Sequence, residues 1–213
     1  VHISDKTVDT SFKLLSHSEE LFEDEIEQIN DLSNLDFVIM TGDLADKPQK
    51  KLLSRACDIM NKVKYPWYFT FGNHDAAVGS SFKKNEYFKY ILNHNKSMRK
   101  IAPENFYYSF VPKKGYRMIA LDATIDTKIT GNGIISKEQL DWLDNELKEA
   151  TIHNELPIMF LHHPVREPMS SYHHRLINAK EVYEVLNRHD IPMAIFSGHY
   201  HTTKIIKENN ILH

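Results

Sequence analysis

Six short apolar runs punctuate this chain, and helical patterns separate most of them. Residues 1–4, 37–41, 67–71, 117–121, 157–161 and 192–196 are each bounded by polar or turn residues. Runs of that length and boundary read as central strands covered on both faces. In the segment after Ser18, Phe22, Ile26 and Ile29 follow i, i+4, i+7 spacing. Ser136 and Gln139 form a capping-box pattern ahead of Leu140, Leu143 and Leu147, which share one helical face. Asn178 is a candidate cap for a helix that buries Val182, Val185 and Leu186, and residues 52–63 and 81–94 also read as helical. Residues 105–121 alternate around the turn-like "PKKG" and read as a hairpin. Strands alternating with helices imply an α/β domain with a layered sheet, and the hairpin makes that sheet mixed.

Composition narrows the class. The 213 residues are 41% apolar and 26% charged, ordinary for a globular chain long enough to bury a substantial core. A net charge of −3 lacks the basic character of general nucleic-acid binding. The single cysteine, Cys57, excludes an intramolecular disulfide and a cysteine-based zinc site, and it reads as a buried helical thiol. No apolar run reaches membrane-spanning length, and no signal-peptide pattern opens the chain. The expectation is one domain over residues 1–213 of a cytoplasmic protein, leaving open a truncation at either end and a leader already removed.

Polar clusters follow the apolar runs: Asp5 in "ISD"; Asp43 and Asp46 in "TGDLAD"; Asn73, His74 and Asp75 in "FGNHD"; His162 and His163 in "FLHHP"; His199 and His201 in "FSGHYH". In open α/β sheets, ligands gather outside the carboxyl ends of the strands. Carboxylate, carboxamide and imidazole suit manganese, iron, zinc or magnesium, and the lack of thiolates argues against a structural zinc site. An i, i+2 pair in extended backbone projects to one side, so His199 and His201 can converge. Adjacent His162 and His163 should diverge, leaving one of them as a ligand. Asp43 could bridge two ions, which at about 3.5–4 Å separation can clamp both oxygens of a phosphoryl transfer.

Each cluster alone has a plainer reading. Asp5 or Asp43 serves as a turn or capping residue, and Asp46 as the cap of a helix beginning near Pro48. His163 reads as a packing residue, and His173–His174 and His153–Asn154 as solvated loop. The ordered combination is what these readings leave unexplained.

That combination resembles the calcineurin-like metallophosphoesterase superfamily, whose pattern is D-x-H, G-D, G-N-H-[DE], a later H and G-H-x-H. The matches here are "SDKT", "TGDLAD", "FGNHDA", "LHHP" and "SGHYH", running from Ile3 to His201. The resemblance implies a layered α/β/β/α sandwich with mixed sheets and a metal site at the carboxyl ends of the strands. It implies that Asp43 bridges two metal ions, manganese or iron before zinc. Asp5 and His201 would hold the first ion, and Asn73, His162 and His199 the second. His74 would be the catalytic histidine beside the leaving oxygen, with Asp75 orienting it or its loop.

One position departs from the pattern: Thr7 stands where a histidine is expected. Either the first site is weakened, or Thr7, Asp9 or Asp46 substitutes as an oxygen ligand, or residues are missing after Asp5. The implied activity is hydrolysis of a small phosphate ester, nearest the cyclic-nucleotide or glycerophosphodiester phosphodiesterase branch. Neither a membrane nor a nucleic acid is the expected partner, and oligomeric state is left open. The alternatives are a nuclease of the same superfamily and a non-catalytic scaffold. The loop 165–174 is expected to flank the substrate pocket, with segment 76–84 as the other seat of specificity.

Overall fold

The computed structural model describes residues 1–11, 13–76 and 82–213. Segment 76–84, one of the two expected seats of specificity, therefore lies largely outside the described residues.

Two sheets stack face to face. A parallel pair is formed by β1 (Val38–Met40) and β2 (Trp67–Phe69). The six-stranded sheet has β3 (Tyr108–Lys113), β4 (Tyr116–Ala120), β5 (Leu156–Leu161), β6 (Met193–Ser197), β7 (Lys207–Glu208) and β8 (Ile211–Leu212), in the order β3-β4-β5-β6-β8-β7. Its interior pairings β4–β5, β5–β6 and β6–β8 are parallel, whereas the outer pairs β3–β4 and β7–β8 are antiparallel. The sheet is mixed, as the hairpin implied.

Helices cover the outer faces. On the side of the small sheet lie α1 (Ser18–Asp31), α2 (Lys50–Met60), α3 (Lys84–His94) and α4 (Lys96–Ile101). Phe22, Ile26, Leu53, Met60 and Ile91 pack there against Trp67, Phe69 and Phe71. Across the molecule, α5 (Lys137–Ile152) and α6 (Ala179–Leu186) put Leu143, Leu147, Val182 and Leu186 on Ile119, Met159 and Ile195. Because side chains alternate along β2, Trp67 and Phe69 face the helices while Tyr68 turns toward the large sheet and packs on Phe110. Phe37 joins them there by packing on Phe110 and Phe160. The result is the α/β/β/α sandwich. Among the described residues, no helix is long and apolar enough to cross a membrane.

Several local expectations need correction. Residues 1–4 form no strand. Ile3 makes a single parallel bridge to Ala45, because its N–H and C=O pair with Leu44 and Asp46, beyond the end of β1. Helix α2 starts at Lys50 behind Gln49, so Asp46 does not cap it. Ser136 does cap α5, accepting from the Gln139 N–H. The Gln139 side chain does not reach back to complete the box, because it pairs with both backbone groups of Asp122. Likewise Asn178 precedes α6 without capping it and instead clamps both backbone groups of Ile135.

Candidate metal centre

The turns after β1 and β2 meet edge to edge. Gly42 adopts φ +90°, and a Cβ there would lie 2.6 Å from the Gly72 nitrogen. A Cβ on Gly72 would collide with Asp43. Both positions therefore require glycine. Between these turns Asp75, fully buried, accepts five hydrogen bonds. Its Oδ2 takes the N–H groups of Asp43 (2.7 Å) and Gly72 (3.0 Å). Its Oδ1 takes those of Leu44 (3.0 Å) and Ala45 (3.2 Å), and the Tyr87 hydroxyl (2.6 Å). Burial and the nearby Asp43 charge push the Asp75 carboxyl up to about 6, against the pull of these donors. Asp75 thus joins the two turns through their backbones and does not contact the His74 ring, whose Nδ1–H donates to the Asp46 carbonyl at 2.9 Å.

Around this joint, Asp43, His162 and His199 each offer a ligand atom, all within 4.8 Å of one another. His162 Nδ1–H donates to the Thr41 carbonyl at 2.8 Å, which aims Nε2 at Asp43 Oδ2, 3.2 Å away, and at His199 Nδ1, 3.0 Å away. Burial by itself would raise the Asp43 carboxyl, but His162, His74 and His2 hold it well below its usual value. Burial also pulls His199 down to about 3 and His2 to about 2, keeping both imidazoles neutral, the form that binds metals. Asn73 Oδ1 and His199 Nε2 are shielded from water and have no hydrogen-bond partner among the described residues. His2, Asp43, His199 and His201 all hold φ between 50° and 74°, a strained region for residues with a Cβ.

A second group is formed by His2, Asp46 and His74. Here Lys13 intrudes: its Nζ lies 3.1 Å from His2 Nδ1, 3.0 Å from His74 Nε2 and 3.4 Å from Asp46 Oδ1. The other carboxylate oxygen of Asp46 takes Lys6 at 2.8 Å. Burial lowers the Lys13 pKa, opposed by Asp46 and Asp43. His201 Nε2 faces His2 Nε2 at 3.1 Å.

The expected ligands are therefore only partly brought together. Asp43, Asn73, His162, His199, His201 and His74 gather, and His163 is buried behind them with its Nε2 on the Gly131 carbonyl. Asp5 and Thr7 are exposed and stand in neither group, because the bridge at Ile3 carries the chain past the site before Asp5 is reached. Asp9 is exposed too, its carboxylate taken by Ser16. Sequence reasoning missed His2, which sits within 3.5 Å of Asp43, and Lys13. It also set aside His174, whose ring centroid lies 5.5 Å from that of His199. A cleft of about 430 Å³ opens over both groups, lined by Asn73, His74, Lys13, Met169, Ser171 and His174 among others. Loop 165–174 does border it.

The calcineurin-like phosphoesterase family model matches residues 4–203. The chain belongs to the calcineurin-like phosphoesterase family. It is 28% identical to a 3′,5′-cyclic-nucleotide phosphodiesterase from Nostoc sp., over 78% of this chain and 56% of that protein. It is 24% identical to a manganese-dependent ADP-ribose/CDP-alcohol diphosphatase from Homo sapiens, over 77% of this chain and 62% of that one. The chain thus spans between about half and two thirds of these relatives' lengths. Its fold is shared with a dimetal phosphatase from Danio rerio, with a TM-score of 0.75 at 19% identity, covering 100% of this chain and 83% of the other.

Proposed function

We propose that this member of the family hydrolyses phosphodiester bonds of a small substrate with a divalent metal ion held by Asp43, Asn73, His162 and His199. The observation that carries the reading is the pair of buried, unpartnered atoms, Asn73 Oδ1 and His199 Nε2, beside Asp43 and His162. An unsatisfied buried polar atom costs about 1–3 kcal/mol, and a cation would satisfy both. Oxygen and nitrogen donors without a thiolate fit manganese, iron or zinc, and the manganese dependence named for the human relative favours manganese. The first-ion set does not fit in the same way, since Asp5 and Thr7 are exposed and Lys13 lies on the neighbouring donors.

When bound, such an ion supplies Lewis acidity toward phosphate oxygens and lowers the pKa of water toward neutrality. The protein's own contributions are positional and protonic. The Thr41 carbonyl orients His162, and Asp75 keeps the Asp43 and Asn73 turns in register. His74, with its Nδ1–H held by the Asp46 carbonyl, presents the lone pair of Nε2 to the cleft, where it can take up a proton and pass it on to a leaving oxygen. Met169, Ser170, Ser171 and His174 would meet the part of the substrate that does not react. Cyclic nucleotides and nucleotide-derived diphosphates are the first classes to try, from the names of the relatives.

The test is a panel of cyclic nucleotides, diphosphate diesters and monoesters with manganese-loaded protein, beside Asp43→Asn. Turnover in the wild type and none in the variant is expected. Equal turnover in both would refute the assignment.

A further inference from the structure

We infer that Lys13 takes the place of the first metal ion as a cation tethered to the chain, so that this protein binds one ion tightly rather than two. The inference rests on the metal reading of Asp43, Asn73, His162 and His199 proposed above.

An ammonium has three N–H donors and no acceptor. Lys13 finds three acceptors, His2 Nδ1 at 3.1 Å, His74 Nε2 at 3.0 Å and Asp46 Oδ1 at 3.4 Å, and these belong to the three residues of the second ligand-like group. The tautomers agree with this. His74 keeps its proton on Nδ1, for the Asp46 carbonyl, so Nε2 is the lone pair that accepts from Lys13. With His2 Nδ1 also accepting from Lys13, its Nε2–H faces Asp43 Oδ2, 3.5 Å away, and His201. The lone pairs that a divalent ion would need are thus engaged already, and the ion would have to displace a like charge to reach them.

Few other ligands stand close by among the described residues. Lys6 pairs with the remaining oxygen of Asp46, Ser16 donates to Asp9 Oδ1, and Asp5 and Thr7 are exposed, so that of the expected first-ion donors His201 and the shared Asp43 are left. Lys13 also lines the same cleft as Asn73, His74 and His199, beside the metal reading's own residues. A fixed positive charge there serves two ends that a first ion would serve: it offsets Asp46 and Asp43, and it offers N–H donors to a phosphate oxygen.

Metal-free protein equilibrated with manganese, with bound metal counted per chain and the spins examined by electron paramagnetic resonance, tests this directly. Wild type should hold one ion with an uncoupled signal. Lys13→Met should bind a second ion at least about tenfold more tightly than wild type does, and Lys13→Arg should stay at one. Two ions of comparable affinity in wild type, or no added ion in Lys13→Met, overturns the inference while leaving the metal reading intact. No bound ion in any of the three proteins overturns both.

Discussion

Replacing Asp75 with asparagine keeps the side chain's size and removes one of its two acceptors. The best orientation of the amide leaves its oxygen on the side of Leu44, Ala45 and Tyr87, where three donors converge. The NH₂ then confronts the N–H groups of Asp43 and Gly72, which lose the carboxylate oxygen they share as acceptor. Two buried donors left without partners cost about 1–3 kcal/mol each. One effect opposes this: the variant relieves the repulsion with Asp43 that helps to raise the Asp75 carboxyl to about 6. The expected net loss is therefore in the lower half of that range, about 3 kcal/mol, a large fraction of the ~5–15 kcal/mol by which folded domains are stable. For a chain of this size it corresponds to a fall in Tm of about 6–12 °C. Urea unfolding of metal-free protein, followed by circular dichroism, measures it. Tyr87→Phe removes one donor and spares both acceptors, so it should cost less than half as much. A loss under about 0.5 kcal/mol for Asp75→Asn would refute the claim that this carboxylate joins the two turns.

Three further outcomes are expected. His74→Ala should slow turnover by roughly 10²–10⁴-fold, as for a general acid–base group, with bound manganese unchanged by elemental analysis; loss of metal would make His74 a ligand. Shortening the loop 165–174, which lends Met169, Ser170, Ser171 and His174 to the cleft, should shift the ratio of diester to monoester rates more than it shifts metal affinity, as read from a substrate panel and a metal titration. Cys57 is buried and burial pushes its thiol up to about 12, so a thiol-specific chromogenic disulfide at pH 8 should leave it unmodified until the protein is denatured; rapid labelling of the native protein would contradict that burial.

Local periodicity was enough to find α1, α2, α5 and the hairpin β3–β4, because each spans several turns or alternations and buries the face its pattern marks. It could not find β7 and β8, at two residues each, since two residues carry no period. The glycine-bounded clusters were legible for a similar reason: Gly42 and Gly72 have no room for a Cβ, so the residues beside them had to form tight turns at the strand ends. Asp43 and Asn73 stand directly after those glycines, whereas His162 follows an apolar run with no glycine and was singled out by the family resemblance.

What no local pattern carried was which charges end up facing each other. Asp5 has the right type and spacing for the site yet is exposed, because the backbone pairs Ile3 with Ala45 and the chain leaves before Asp5 can turn inward. That same pairing brings His2 to within 3.5 Å of Asp43. Lys13, in a stretch without periodicity, reaches His74 from 61 positions away. Sequence spacing specifies which side of a strand or helix a residue occupies, and it is silent about how far a neighbouring segment slides along it. That slide is set by the packing of the whole sandwich, and here it leaves the Asp5 carboxylate exposed and brings the Lys13 ammonium to His2, His74 and Asp46.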